Sequence, residues 1–234
     1  MTRDQAPPYE AVVFDCDSTL SWIEGIDELA GGHAEAVSEL TRRAMDGEVP
    51  LDEVYGRRLE MIRPDRGAVE RVAARYVETL VPGIREVFEV LRAAGKRISI
   101  VSGGLLPAVA AVGEALGVDP SEVFAVDLYF DEGGAYAGFE DGSPLARAGG
   151  KLDVLEAIAA RTREGRVALV GDGVTDLEAL PVISRFIAWG GVVHREEVHQ
   201  RSRCSTDGPD ARELLPFLLS DVELAGSSWS APNA

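Results

Sequence analysis

Short apolar runs that end abruptly in polar or glycine residues constrain the fold of this sequence more than any other feature. The runs lie at residues 11–14, 98–101 and 167–170, and Asp, Ser or Gly follows each of them at once. Strands that are apolar on both faces are typical of a parallel sheet covered by helices. The segments between the runs show the apolar spacing of helices, so the sequence predicts an α/β fold with a doubly wound, Rossmann-like parallel sheet.

A helical segment at residues 21–79 interrupts this alternation directly after the first strand. We therefore predict a catalytic core formed by residues 10–20 and 80–224, with a small helical cap domain at 21–79 inserted into it. A β-hairpin is predicted across residues 132–134, where two glycines separate aromatic strand residues. Residues 225–234 are predicted to form a disordered tail.

Charge and composition exclude several classes of partner. The 234 residues carry a formal net charge of -17, whereas nucleic acids and anionic membranes bind basic surfaces, so we expect neither as a partner. No secretory signal is evident, and the two cysteines, Cys16 and Cys204, are too few for a disulfide framework. Cys16 is expected to be a packing residue, because the neighbouring carboxylates disfavour its thiolate. We expect a cytoplasmic protein that is a monomer or a homodimer.

Acidic residues follow two of the predicted strands. Asp15 and Asp17 come after the first run, and Asp172 comes after the run at 167–170. Because the carboxyl ends of parallel strands meet at one edge of the sheet, we expect these side chains to share a site. Carboxylate oxygens are ligands that Mg²⁺ prefers, so the pattern predicts one magnesium ion there. For Asp15 and Asp17 taken alone, a solvated acidic loop is the alternative.

A phosphate group fits the other residues expected at this edge. Ser102 and Gly103 open a glycine-rich turn whose hydroxyl and N–H groups can bind phosphoryl oxygens, although an ordinary turn is the alternative for this segment alone. Lys151 is one of only two lysines and begins a predicted helix, where a cation is unfavourable unless an anion lies nearby. Asp15 can attack phosphorus to form an aspartyl-phosphate. The residues therefore predict phosphoryl transfer.

Four segments of the chain are similar in order and context to the motifs of a known family, the haloacid dehalogenase superfamily of phosphohydrolases. They are Asp15-Cys16-Asp17-Ser18-Thr19, Ser102 after an apolar run, Lys151, and Gly171-Asp172-Gly173-Val174-Thr175-Asp176. The resemblance implies that Asp15 is the nucleophile and also binds Mg²⁺. It implies that Asp17 is the general acid and base and gives its main-chain carbonyl to the metal, while Asp172 completes the protein ligands.

The resemblance also implies roles for the residues around the phosphate. Ser102, Gly103 and Lys151 would hold the phosphate, and Thr175 would line the same site. Asp176 would orient the water molecules bound to the metal. Together these roles describe hydrolysis of a phosphate monoester through a covalent phospho-enzyme.

Residues of the predicted cap would select the substrate. The resemblance implies that Glu24 pairs with the ammonium group and Arg58 with the carboxylate of O-phospho-L-serine, whose hydrolysis is the last step of serine biosynthesis. Met45 would cover the site, and Ser18 would border it. Asp46 stands where some relatives have glycine; if it weakens binding of the anionic substrate, Asp46→Gly lowers KM.

Two other functions remain open at this level. The first is a related phosphatase or phosphotransferase that acts on another small phosphomonoester. The second is a receiver-like signalling domain that accepts phosphate on Asp15, but such domains lack a general acid two residues further on, so Asp17 favours the enzyme. The histidines, His33, His194 and His199, match no catalytic position, and we expect all three to be surface residues.

Overall fold

A six-stranded parallel sheet forms the centre of the computed structural model, which describes residues 8–45, 48–49, 51–163 and 166–229. The strands in chain order are β1 (Ala11–Phe14), β2 (Arg97–Leu105), β3 (Val123–Val126), β4 (Leu128–Phe130), β5 (Tyr136–Phe139), β6 (Val167–Gly171), β7 (Arg185–Trp189) and β8 (Cys204–Thr206). The sheet has the order β3-β2-β1-β6-β7-β8, and β4 pairs with β5 as the predicted antiparallel hairpin.

The first four α-helices after β1 in the described part of the chain form a unit, which we call the helical unit. They are α1 (Gly25–Ala30), α2 (Ala34–Met45), α3 (Leu51–Ile62) and α4 (Arg66–Glu78). Arg63 turns the chain between α3 and α4 with a left-handed φ of 44°. Asp65 then caps α4 by accepting a 2.6 Å hydrogen bond from the N–H of Ala68. The unit packs on the hairpin and the end of β2 through Ile26, Leu59, Val69, Leu105, Leu128 and Tyr136.

The remaining α-helices of the described residues cover the two faces of the sheet. They are α5 (Ile84–Ala93), α6 (Leu106–Leu116), α7 (Gly150–Ala159), α8 (Val174–Leu177), α9 (Glu196–Arg201), α10 (Leu215–Leu218) and α11 (Asp221–Ala225). Side chains alternate along β1, so Phe14 packs on Phe88 of α5 while Val13 packs on the opposite face with Leu155 of α7. Both faces are buried, which explains why every residue of β1 is apolar. No helix within the described ranges has the length and apolarity needed to cross a membrane.

The order of the strands places a crevice at the carboxyl end of β1. This strand pairs with β2 on one side and with β6 on the other. The chain winds outward through β2 and β3 first, and later through β6, β7 and β8 in the opposite direction. The two halves of the chain therefore leave the centre of the sheet in opposite directions. Ligands bind in the crevice that forms at the carboxyl ends of the strands at such a point.

β2 is longer than the sequence analysis predicted. Ser102, Gly103 and Gly104 were expected to form a turn, but they continue the strand to Leu105, with a register irregularity against β3. The glycine at position 104 permits a close approach, because a Cβ atom there would lie only 3.0 Å from Asp17 Oδ2. Gly104 therefore reflects crowding between the strand and the loop after β1, which a sequence pattern cannot distinguish from a turn.

The C-terminal segment differs in part from the predicted disordered tail. Within residues 225–229, Trp229 is partly buried against the core. The indole N–H of Trp229 donates a 3.2 Å hydrogen bond to the carbonyl of Arg212. Residues 230–234 lie outside the described residues.

Candidate active site

The chain turns sharply where β1 ends, and this turn carries Asp15 and Asp17. The N–H of Asp15 still donates to a carbonyl of β6 at 2.9 Å, as a continuation of the sheet. The N–H groups of residues 19–21 then converge on the carbonyl of Cys16, at 2.9 to 3.3 Å, and Ser18 adopts a left-handed φ of 52°. Cys16 is buried in this turn, and burial together with the charge of Asp17 raises the pKa of its thiol well above the usual value, as expected for a packing residue.

Asp15, Asp172 and Asp176 form a carboxylate cluster at the ends of β1 and β6. One oxygen of each residue lies within 4.8 Å of the others, and all three residues are buried. Lys151, in the first turn of α7, bridges two of them, because its Nζ lies 2.8 Å from Asp15 Oδ2 and 2.7 Å from Asp176 Oδ1. Asp176 also accepts a 3.0 Å hydrogen bond from the N–H of Gly173. Two of the predicted metal ligands, Asp15 and Asp172, thus lie together, and Asp176 joins them.

The charges in this cluster are poorly solvated. Burial, with the nearby charge of Asp15, raises the pKa of Asp172 to about 6. Burial also raises the pKa of Asp176 to about 7, although Lys151 opposes the rise. Burial by itself would lower the pKa of Lys151, but Asp15 and Asp176 raise it above the usual value, so the lysine stays charged. One buried lysine does not balance three carboxylates, and their oxygens fit a hard divalent ion such as Mg²⁺.

Asp17 is held by the helical unit. Its Oδ1 accepts hydrogen bonds from the Tyr76 hydroxyl on α4 and from the N–H of Gly25 on α1, the latter at 3.4 Å. Gly25 has to be a glycine, because a Cβ atom would lie 2.5 Å from the Tyr76 hydroxyl oxygen. Burial and the charges of Glu24 and Asp15 raise the pKa of Asp17 to about 7. A carboxyl group that titrates near neutral pH can exchange protons in both directions.

The other predicted phosphate ligands lie on two elements of the core. Ser102 is fully buried in β2, where its Oγ accepts a 3.0 Å hydrogen bond from an N–H two residues later, so its hydroxyl hydrogen can be donated elsewhere. Gly103 is half-buried beside it, and Thr175 is exposed in the first turn of α8. Met45 ends α2, but its side chain lies outside the described residues, as does all of Asp46.

A cavity of about 760 Å³ opens between the helical unit and the loop after β7. Its walls include Ser18, Glu24 and Arg58, which are predicted to border or select the substrate. The Ser18 hydroxyl donates to Glu24 Oε1 at 2.6 Å, and Arg58 Nη2 donates to Asp27 Oδ1 at 2.5 Å. The Nε of Arg58 is buried and has no hydrogen-bond partner among the described residues. The Nε–H group is therefore a donor that the described residues leave unsatisfied.

Arg195, which the sequence analysis missed, links the carboxylate cluster to this cavity. Its Nε donates a 2.9 Å hydrogen bond to Asp172 Oδ2, and its Nη2 lies 3.9 Å from Glu24 Oε1. Thr19 donates to the other oxygen of Asp172 at 3.3 Å. Arg195 lies in the loop after β7, which is a further parallel strand of the sheet. Because ligands bind at the carboxyl ends of such strands, the position of this loop is a signal that could have identified it as part of the site.

Comparison with known sequences identifies the family. The sequence model of the haloacid dehalogenase-like hydrolases matches residues 9–182. The chain belongs to this family. Among the relatives, phosphoserine phosphatase of Bos taurus is 41% identical over 191 residues, which cover 81% of this chain and 85% of the relative.

Solved structures agree with membership of the haloacid dehalogenase-like family. A phospho-aspartyl intermediate analogue of phosphoserine phosphatase has a TM-score of 0.75 and 27% identity, and the match covers 91% of this chain and 100% of the other. A substrate-bound phosphoserine phosphatase complex also has a TM-score of 0.75, with 26% identity and the same coverage of 91% and 100%. The predicted α/β fold and the family resemblance are confirmed, and a receiver-like signalling domain is excluded.

Proposed function

We propose that this hydrolase is a Mg²⁺-dependent phosphatase that converts O-phospho-L-serine to L-serine and phosphate, the last step of serine biosynthesis. The observation that carries the proposal is the buried cluster of Asp15, Asp172 and Asp176 with Lys151 at the end of β1. The cluster combines a carboxylate nucleophile, oxygen ligands for a divalent ion and a cation for the phosphate. Relatives with 41% and 40% identity are phosphoserine phosphatases, which supports the choice of substrate.

Asp15 supplies the nucleophile. The N–H of Cys16 donates to its Oδ1 at 2.7 Å, and Lys151 lies 2.8 Å from its Oδ2, so the carboxylate is oriented before the substrate binds. An Asp15 oxygen attacks phosphorus in line with the serine oxygen, the bond from phosphorus to that oxygen breaks, and an aspartyl-phosphate forms. Asp17 in its protonated form gives its proton to the departing serine oxygen.

Hydrolysis of the aspartyl-phosphate reverses the role of Asp17. Its carboxylate accepts a proton from a water molecule as the water oxygen attacks phosphorus. The bond from phosphorus to Asp15 breaks, phosphate is released, and the carboxylate of Asp15 is restored. A pKa of about 7 lets Asp17 populate both forms near neutral pH. The hydroxyl of Tyr76 favours the ionised form, because it donates a hydrogen bond to Asp17 Oδ1.

The carboxylate cluster would hold the magnesium ion. Asp15 and Asp172 would be ligands, together with the main-chain carbonyl of Asp17. Asp176 would orient water molecules on the ion from within the same cluster. When bound, the ion would withdraw negative charge from the phosphoryl oxygens and align them for attack.

Residues of β2, α7 and α8 would hold the phosphate. Lys151 stays protonated beside Asp15 and would contribute a positive charge close to the attacked phosphorus. Ser102 would donate its hydroxyl hydrogen, and Gly103 would donate its N–H. Thr175, exposed in the first turn of α8, would line the entrance of this site.

The cavity beside the helical unit would select the substrate. Glu24, which already accepts a hydrogen bond from Ser18, would pair with the ammonium group of phosphoserine. Arg58 would pair with the carboxylate of the substrate through its unpartnered Nε and through Nη2, in exchange for Asp27. Met45, at the end of α2, would cover the bound amino acid.

Phosphate release from a panel of phosphomonoesters, measured with and without Mg²⁺, tests the proposed activity. Phosphoserine is expected to have the highest kcat/KM, and chelation with EDTA is expected to abolish turnover. Phosphoethanolamine lacks the carboxylate that Arg58 would bind, and 3-phosphooxypropanoate lacks the ammonium group that Glu24 would bind. Equal kcat/KM for all three compounds would show that the enzyme acts on another small phosphomonoester.

The free, buried thiols of Cys16 and Cys204 support a reducing compartment, and we propose that the enzyme acts in the cytoplasm. We also propose that it is a monomer or a homodimer. Light scattering coupled to size-exclusion chromatography distinguishes these two states, and a larger mass would reject both.

A further inference from the structure

Two of the three histidines come together outside the carboxylate cluster. His194 lies in the loop after β7, His199 lies on α9, and Asp207 follows β8. One ring nitrogen of each histidine and one oxygen of Asp207 lie within 4.8 Å of one another. His194 Nδ1 is 2.8 Å from Asp207 Oδ1, and His199 Nδ1 is 3.5 Å from the same oxygen. Three consecutive elements near the C-terminal end of the sheet therefore bring two nitrogen atoms and one oxygen atom close together.

His199 is not the surface residue that the sequence analysis predicted. Its side chain is only 9% exposed, because α9 packs against β7 and α8. Its Nε2 is buried and has no hydrogen-bond partner among the described residues. The nitrogen that His199 turns toward Asp207 is therefore Nδ1, the atom that the distances assign as a ligand.

Gly190 shows how closely the side chains of His199 and Asp207 approach the backbone. A Cβ atom at this position would lie 2.2 Å from Asp207 Oδ1 and 3.0 Å from His199 Nε2. Any side chain here would displace both groups. The convergence of His199 and Asp207 therefore depends on a glycine at the end of β7.

Glu196 orients the ring of His194. Its Oε2 lies 3.1 Å from His194 Nε2, on the opposite side of the ring from Asp207. With an ion bound between His194 and Asp207, a hydrogen bond from Nε2–H to Glu196 would keep the proton on Nε2 and leave the Nδ1 lone pair for the ion. Histidines that bind metals are commonly held in this way, with a carboxylate on the other ring nitrogen.

We propose that His194, His199 and Asp207 bind a divalent transition-metal ion, for which zinc is the best match. Three protein ligands with a water molecule complete a tetrahedral site, and bonds of about 2.0 Å require ligand atoms about 3.3 Å apart. The distances from Asp207 Oδ1 to the two Nδ1 atoms, 2.8 and 3.5 Å, lie on either side of this value. Imidazole favours zinc, copper and nickel over magnesium, so this site and the carboxylate cluster would take different ions.

Calorimetric titration of the full chain with Zn²⁺, in the presence of excess Mg²⁺, tests the proposal. Magnesium occupies the carboxylate cluster under these conditions and reduces zinc binding there. One equivalent of Zn²⁺ is expected to bind. His194→Ala and His199→Ala should each weaken binding by more than about 100-fold, and Glu196→Gln, which only orients a ligand, by about 10- to 100-fold.

His33→Ala is the matched control, because His33 is the remaining histidine and is exposed in the helical unit. It should bind Zn²⁺ as the wild type does. His194 is more exposed than His199, so His194→Ala keeps the test valid if His199→Ala fails to fold. The absorption of bound Co²⁺ should show a tetrahedral spectrum in the wild type and in His33→Ala, and not in His194→Ala or His199→Ala. Binding of Zn²⁺ that is absent from the wild type, or unchanged in His194→Ala, would reduce the cluster to ion pairs and overturn the proposal.

Discussion

The active site has two charged regions that differ in their contact with water. The floor, at the edge of the sheet, consists of Asp15, Lys151, Asp172 and Asp176. The rim, around the cavity, consists of Glu24, Asp27, Arg58 and Arg195. Side chains of the floor are at most 10% exposed, whereas those of the rim are 22% to 63% exposed. Charge interactions are therefore strong in the floor and screened by solvent in the rim.

This difference separates the chemistry from the selection of substrate. Floor residues hold one another in place, as when Lys151 contacts Asp15 and Asp176 at once, so the reacting groups are oriented before a substrate arrives. Contacts within the rim are partly solvated, such as that of Arg58 with Asp27, so a substrate can replace them at little cost. Changes in the floor should alter kcat and stability, and changes in the rim should mainly alter KM.

The largest expected difference is between Asp15→Asn and Glu24→Gln, which make the same chemical change in the floor and in the rim. Asp15→Asn removes the nucleophile and should lower kcat by about 10,000-fold or more. Glu24→Gln should raise KM for phosphoserine by about 10- to 100-fold and leave kcat within about tenfold, because it removes one charged hydrogen bond to the substrate. Steady-state kinetics, with circular dichroism to verify folding, measure both effects. A similar loss of kcat in both variants would contradict the assignment of catalysis to the floor and of substrate selection to the rim.

Replacing a positively charged side chain should lower the free energy of unfolding more in the floor than in the rim. Lys151→Met leaves Asp15 and Asp176 buried without a partner and should lower the free energy of unfolding by about 3–5 kcal/mol. Arg58→Met is the matched control in the rim and should cost no more than about 1 kcal/mol, because Asp27 remains solvated. Urea unfolding without Mg²⁺ measures both values. Equal losses would show that burial of the floor does not strengthen its charge interactions.

Without metal, the stability should fall as the pH rises. The pKa values of Asp172, Asp176 and Asp17 are raised to about 6, 7 and 7, above their unfolded value of about 3.9. Between these values the folded chain binds more protons than the unfolded chain, so the free energy of unfolding decreases from about pH 4 to about pH 7. The decrease should be of the order of a few kcal/mol.

Thermal unfolding in EDTA at pH 5 and pH 8 measures this decrease, and added Mg²⁺ should reverse it at pH 8. Asp172→Asn replaces one carboxylate of the floor by an uncharged group of the same shape. It should reduce the change in melting temperature between pH 5 and pH 8. Asp27→Asn in the rim is the control and should leave the dependence unchanged. A melting temperature in EDTA that rises from pH 5 to pH 8 would contradict the prediction.

The smallest expected effect concerns Asp17, which lies between floor and rim. Tyr76→Phe removes a hydrogen bond that lowers the pKa of Asp17, so this pKa should rise further. The acidic limb of the pH profile of kcat, which requires ionised Asp17, should then move to higher pH. At pH 7 kcat should fall by about 2- to 10-fold. Tyr55→Phe is the control, because the Tyr55 hydroxyl is buried without a hydrogen-bond partner in the described part of the chain. Identical pH profiles of kcat in the two variants would refute this role of Tyr76.

Much of the floor was predictable because it follows from local patterns and the topology they imply. Asp15 and Asp172 directly follow apolar strands, and parallel strands have to end at the same edge of a sheet. Lys151 was recognised because a lone lysine at a helix start is unfavourable without an anion. The pattern was misleading at Ser102 and Gly103, where glycine-rich sequence predicts a turn but the chain continues as a strand.

The partners of these residues were not predictable in the same way. Tyr76 binds Asp17 across 59 positions of sequence, and in its helix it has only the pattern of a core residue. Arg195 binds Asp172 from a loop whose sequence has no distinctive motif. His199 reads as part of a polar helix, and its burial depends on how α9 packs against the sheet.

By itself, the sequence determined the class of fold, the family and the acidic residues of the floor, because hydrophobic periodicity and strand topology act through residues that are near in the chain. Only the tertiary structure decided which groups surround these acidic residues. The hydrogen bond from Tyr76 to Asp17 and the ion pair of Arg195 with Glu24 depend on contacts between distant segments. Burial at those contacts sets the pKa values and the strength of the charges, and burial is a property of the packed chain.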